Sequence, residues 1–224
     1  FILSDTLLKT GDNATVTLVF SEVVVGFSSD DDITDHPNGT LTAMTSNDNK
    51  TWTGTFTPTT GREDWSNSFW LRTSYTDTAG NTGTAATTAN YMVDDNNPSV
   101  SSFTLSDTAL KAGDNATVTL VFSEVVASFS SADDITVDNG TLATMTSSDN
   151  KTWEGTFTPL ANTEEDNNTL SLATSYTDLA GNAGPAATTA NYAIDTLLPT
   201  ISSVTAGWGA YLNATEDNSA GTVT

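Results

Sequence analysis

The chain has no cysteine and a single histidine, His36, among its 224 residues. Disulfide staples, thiol nucleophiles and zinc–thiolate centres are therefore excluded. Basic residues are also scarce. Six Lys and Arg stand against 28 Asp and Glu, for a formal charge of −22. Such a chain repels nucleic acid and anionic membranes and attracts cations. No apolar run approaches the roughly 20 residues that a membrane-spanning helix needs, so membrane insertion is not expected. No leader peptide is recognisable, and Phe1 falls inside a repeat, so a targeting segment is expected outside this sequence. A helical period is missing throughout.

What the chain does have is an internal repeat about one domain long. Phe1-Ile2-Leu3-Ser4-Asp5-Thr6 returns as Phe103-Thr104-Leu105-Ser106-Asp107-Thr108, and Gly11–Val24 is identical, letter for letter, to Gly113–Val126. Asn49-Lys50-Thr51-Trp52 returns as Asn150-Lys151-Thr152-Trp153, and Ser74-Tyr75-Thr76-Asp77 as Ser175-Tyr176-Thr177-Asp178. A period this long excludes short solenoid units and predicts a row of whole domains. The expected boundaries are 1–95, 96–196 and 197–224. The last is the start of a third unit, with Ile201–Val204 as its first strand and Leu212–Asn218 echoing the next loop. The first repeat lacks the segment matching Pro98–Ser102 and carries one extra residue around Asp35-His36-Pro37.

Within a repeat the period is two. Ala116, Val118, Leu120 and Phe122 alternate with Thr117, Thr119 and Val121, the pattern of a strand with one buried face. Turn residues punctuate the runs at Lys111-Ala112-Gly113-Asp114, Asp138-Asn139-Gly140, Ser148-Asp149-Asn150 and Ala180-Gly181-Asn182. Strands are expected near 99–106, 115–123, 133–138, 141–147, 151–158, 168–177 and 187–194. Seven short strands in about a hundred residues predict an all-β fold of tandem immunoglobulin-like β-sandwiches.

That topology gives the joint between repeats its chemistry. Tyr91-Met92-Val93-Asp94-Asp95-Asn96-Asn97-Pro98 ends one repeat, and Tyr192-Ala193-Ile194-Asp195 through Pro199 ends the next. In a sandwich the chain enters at the pole that also carries the corner after the second strand and the loop between the last two. Asp94 and Asp95 should therefore meet Glu124, from the corner, with Asp178 and Asn182, from the loop. Carboxylates crowded without a basic partner repel one another unless they protonate or bind a cation. A hard cation with six to eight oxygen ligands fits, calcium above magnesium or zinc. Glu22, Asp77 and Asn81 form the equivalent set on the first repeat, and Asp195 serves the joint that follows the second. The alternative is an ordinary turn, with Asp178 and Asn182 bonded to their own backbone.

The run Phe122-Ser123-Glu124, Thr152-Trp153, Asp178-Leu179-Ala180-Gly181-Asn182 and Ile194-Asp195 with Pro199 resembles the bacterial immunoglobulin-like repeats of giant surface adhesins, of the repeats-in-toxin and biofilm-associated kinds. The resemblance covers residues 1–198. It implies an extracellular extender at the bacterial cell surface, with calcium stiffening its joints. The first joint departs from the family's Asp-Thr by carrying Asp94-Asp95.

Catalysis has little to work with. His36 has no counterpart in the second repeat, no Ser/His/Asp set recurs and no phosphate-cradling glycine loop is present, so no enzyme is expected. The partners expected are the neighbouring repeats, with other copies of the chain or surface glycans as further candidates. Trp65, Trp70 and Arg72 have no equivalents in the second repeat. Exposed Trp beside Arg suits a contact surface. A self-assembling surface-layer or filament subunit, using lateral or strand-donation contacts, is the alternative function.

Overall fold

The computed structural model describes residues 1–34 and 36–204. It contains two β-sandwiches, each with its own core. In the second, one sheet runs in the order Val100–Leu105, Ala116–Phe122, Thr152–Pro159 and Gly140–Leu142, all antiparallel. The predicted alternation holds: Ala116, Val118, Leu120 and Phe122 are buried and the residues between them are not. The facing layer is built in short pieces. Ala109–Lys111 pairs parallel to Tyr192–Asp195, which pairs antiparallel to Glu164–Asn168. Ile135–Val137, Leu170–Leu172 and Ala187–Thr188 form a second piece, and Val126–Ala127 with Thr177–Asp178 a third.

Aromatic rings fill the space between the layers. Phe122 lies 4.8 Å from Tyr176 and Phe129 lies 4.9 Å from Trp153, ring centre to ring centre. The first repeat repeats this packing with Phe20, Tyr75, Phe27 and Trp52. Offset and edge-on contacts of this kind add to the burial of the rings themselves.

Three expectations are corrected. A single helical turn, Ser131–Asp134, precedes the third strand, which starts at Ile135 rather than 133. The buried Asp134 carboxylate causes it, accepting the Ser130 amide at 2.8 Å and the Ser175 hydroxyl. Asp32 does the same for Ser29–Asp32. The long strands expected at 168–177 and 187–194 are each broken. Buried Asn168 turns its amide back onto Glu165 O at 2.9 Å and Tyr192 O at 3.0 Å, while Leu170 N donates to Thr189 Oγ1. These side chains take ladder positions, so the chain changes partner there. Finally, Ile201–Val204 is not a strand. A first strand needs a second one to pair with, and the expected counterpart of Ala116–Phe122 lies outside the described residues, as does the Leu212–Asn218 echo. In the first repeat, the first strand is only Ile2–Leu3, paired with Val16 and Thr17.

The tight turn before each Trp-bearing strand is an electrostatic device. Asp149 accepts the Lys151 amide at 2.9 Å, the Thr152 amide at 2.8 Å and the Ser147 hydroxyl at 2.9 Å. The Thr152 amide, then that of Lys151, holds its carboxyl down at about 2. Asp48 is held down at about 2 by Thr51 and Lys50 in the same way. A lowered folded value stabilises above the ordinary 3.8, and the contribution is lost as pH falls through about 2. Asp149→Asn should therefore lower the melting temperature by a few degrees at neutral pH. In melts followed by circular dichroism, the gap to the parent should close as the pH approaches 2.

Candidate metal centre at the joint

Three segments from two folding units meet at the boundary. Tyr91–Asp94, the last strand of the first repeat, delivers Asp94. The corner after Ala116–Phe122 delivers Glu124, and Thr177–Asp178 delivers Asp178, locked in register opposite Val126. One oxygen from each of the three carboxylates lies within 4.8 Å of the others. Asp94 and Asp178 are 4% and 2% exposed, and Glu124 is half-buried.

The surroundings do little to neutralise these charges. Asp94 Oδ1 accepts the Asn96 amide at 3.0 Å. Asp178 accepts the Asn182 amide at 2.9 Å and its side-chain Nδ2 at 2.8 Å. Among the described residues no donor reaches the Glu124 carboxylate. Burial, followed by the charge of Asp178, Glu63 and Asp95, pushes the Asp94 carboxyl up against the pull of the Asn96 amide. Burial, then the charges of Asp94, Asp178 and Glu63, pushes Glu124 up. At an effective dielectric near 20, each pair of unit charges at this separation repels by on the order of 3 kcal/mol.

Hydrogen bonds to backbone carbonyls hold the segments together despite this. Asn182 Nδ2 also donates to the Asp94 carbonyl at 2.8 Å, across the boundary. Lys9 Nζ, from the first repeat, donates to Gly181 O at 2.7 Å. Gly181 sits at φ +86°, which lets its carbonyl face back toward the first repeat. Lys9 and Glu63 escaped the sequence reading, because neither lies in the linker, the corner or the loop. The signal for Lys9 was its recurrence as Lys111 in a chain with few cations.

The other predicted residues lie elsewhere. Asp95 turns away, with its carboxylate on the Thr10 amide and hydroxyl and on Gly61 N. The strand ends at Asp94, and just beyond it these donors hold the Asp95 carboxylate on the first repeat, away from the cluster. Burial would raise Asp95, but the Thr10 and Gly61 donors outweigh it and hold its carboxyl low. Asp77 and Asn81 repeat the Asp178–Asn182 loop, with the Asn81 Nδ2 bond at 2.6 Å. With Glu22 they line an open cavity of about 340 Å³ on the first repeat. No counterpart of Asp94 reaches it among the described residues. Asp195 is exposed, and among the described residues its carboxylate accepts the Leu197 amide alone, at 3.2 Å. Trp70 is half-exposed on the strand Trp70–Leu71 with Arg72 beside it in solvent. Trp65 lies at the joint instead, in a crevice it shares with Asp94 and Leu179.

The donor set suits a hard cation. It offers only oxygen, three carboxylates supply three to six ligands, and the remainder of calcium's six to eight come readily from water or carbonyls. Zinc would want nitrogen or sulfur.

The family of bacterial Ig-like domains (Big_12) matches residues 2–93 and again 94–194. The chain belongs to that family, as two tandem repeats. Among solved structures it is similar to the Escherichia coli adhesin FdeC, at 13% identity and TM-score 0.41, over 92% of this chain and 66% of that one. It is also similar to murine CEACAM1b, at 11% identity and TM-score 0.35, over 88% of this chain and 98% of that one. The family assignment rests on the sequence match and not on these distant likenesses. No curated protein matches the chain.

The raised carboxyls of Asp94 and Glu124 set a pH dependence for the metal-free joint. A group raised on folding stabilises below its unfolded value, and that contribution disappears as pH rises through the folded one. In chelator, the parent should therefore gain stability as pH falls from neutral toward the ordinary carboxylate range, ahead of the opposite effect of Asp48 and Asp149 at lower pH. Asp94→Asn with Glu124→Gln should melt several degrees higher than the parent at pH 7 and show a flatter slope. Equal slopes would contradict the crowding described here.

Proposed function

We propose that this chain is an extender segment of a large extracellular bacterial adhesin, and that calcium at the joint turns two hinged domains into a stiff rod. The observation that carries the reading is the meeting of Asp94, Glu124 and Asp178 within 4.8 Å across the boundary between repeats. Its support is threefold. The family is bacterial and Ig-like. The two repeats are near copies, as expected of a spacer whose length matters more than any single surface. The carboxylates come from both sides of the joint, so one cation there would tie the angle between repeats to ion binding and reduce the joint's conformational freedom.

A filament or surface-layer subunit is the second reading. It draws on the open cavity carrying Glu22, Asp77 and Asn81, into which Asp195 of another copy could reach. The two separate by mass in solution: a spacer stays a monomer with calcium, and a filament subunit does not.

Small-angle X-ray scattering and thermal melting, on the same samples with calcium and with chelator, test the first reading. At a hundredfold excess over Kd, binding adds about 2.7 kcal/mol. That corresponds to roughly 10 °C for a domain of this size. Calcium should also narrow the range of particle lengths. Glu124→Gln should abolish most of both effects. Unchanged melting and scattering would leave the acidic loops as solvated turns.

A further inference from the structure

The joint contains two kinds of residue. One kind is carried by both repeats: Lys9, Asp94, Glu124, Asp178 and Asn182 correspond to Lys111, Asp195, Glu22, Asp77 and Asn81. The other kind belongs to this joint alone. Leu7 and Met92 are cross-strand neighbours where Leu7–Leu8 runs parallel to Tyr91–Asp94. Trp65 lies in the irregularity of Glu63–Asn67 between the partners of Tyr91 and Val93, beside Met92. The three make an apolar row across three strands at the end of the first repeat. Leu179 and Ala180, from the loop of the second repeat, close over it. With Leu8, these residues and Asp94 line a crevice of about 10 Å³. One water needs about 10–15 Å³, so the crevice has room for one at most.

The second repeat keeps the register of this row but not its chemistry. Ala109 stands opposite Ala193, and Asp166 lies in the matching irregularity between the partners of Ile194 and Tyr192. The loop position of Leu179 is Thr78 in the first repeat. Four differences between near-identical repeats thus fall on one contact. The large apolar residues stand on both sides of the joint they share, and Ala, Ala, Asp and Thr take their places at the two ends that face outward. Trp65 and Leu179 are still 48% and 51% exposed, so neither is a core residue of its own repeat.

We propose that Leu7, Trp65 and Met92 with Leu179 form an apolar pairing surface that fits the first repeat to the second and holds their angle without any cation. The partner this row accepts is a following repeat whose loop carries a large apolar residue. The row Ala109, Ala193 and Asp166, two small side chains and a carboxylate, offers no such hold, which leaves a joint at that end dependent on its charged residues. The inference rests on the extender reading for its purpose, but its test is separate.

The chain has no cysteine, so Thr55→Cys with Thr156→Cys gives one spin-label pair, one label on an exposed strand position of each repeat. Pulsed electron paramagnetic resonance in chelator then reads the spread of distances between repeats in the full chain. The parent should give a narrow distribution. Leu179→Thr should widen it by at least about twofold as the joint regains conformational freedom. The triple change Leu7→Ala, Trp65→Asp, Met92→Ala should do the same from the other side. Both lie on the surface, and melting checks that each repeat still folds. A distribution in chelator that neither variant widens, or a parent already as broad as the variants, overturns the proposal. Calcium added to the widened variants should narrow them again. If the widening occurs and calcium does not reverse it, the apolar surface stands and the calcium reading fails.

Discussion

Three like charges held within 4.8 Å, and contributed by two different folding units, set the terms for this joint. Left alone, they drive the repeats apart or force a carboxyl to stay protonated. The structure resists that with contacts that leave the carboxylates unpaired: an Asn182 amide on a carbonyl, a Lys9 ammonium on a carbonyl, and apolar side chains around a narrow crevice. None of these neutralises a carboxylate. The repulsion is contained rather than cancelled, which is why we propose that the joint takes up a cation.

The sandwich makes this possible at small cost to itself. Each core is closed within its own repeat. The last strand can therefore carry Asp94 at the final pair of its ladder, opposite Glu63, without opening anything. Thr177–Asp178 is only two residues long, but pairing with Val126–Ala127 fixes it, and the Asn182 bonds fix the loop behind it. The same loop on the first repeat keeps its Asp77–Asn81 bonds while standing in solvent. The loop is thus built before any partner arrives. Docking of the preceding repeat buries it and raises the stakes for its charge.

Much of this was legible in the residues. The identity of Gly11–Val24 with Gly113–Val126 made the repeat plain, and the alternation through Ala116–Phe122 made the sandwich plain. The meeting of Asp94, Glu124 and Asp178 follows once the topology is known, because all three segments end at one pole. Asp95 stands apart because donors from Thr10 and Gly61, distant in sequence, take its carboxylate, and nothing in the linker itself announces them. The helical turns at Ser29–Asp32 and Ser131–Asp134 escaped because one turn is too short to show a period. Their cause is a single buried carboxylate, and burial of an Asp cannot be read from its position in a run of Asp residues. The breaks near Asn168 and Thr189 escaped for the same reason, since they depend on side chains replacing backbone partners. Trp65 looked like Trp70, an extra aromatic beside a basic residue. The pairing of Glu63–Asn67 with Tyr91–Asp94, and its irregularity opposite Met92, place it in the joint.

Calorimetric titration of calcium into the full chain, after removal of bound metal, tests the central claim most directly. The account requires one saturable site per chain. Asp178→Asn should abolish it, and Asp77→Asn, which alters the same loop on the pole without a docked repeat, should leave it intact. Absence of saturable binding, or a site indifferent to Asp178, would contradict the account.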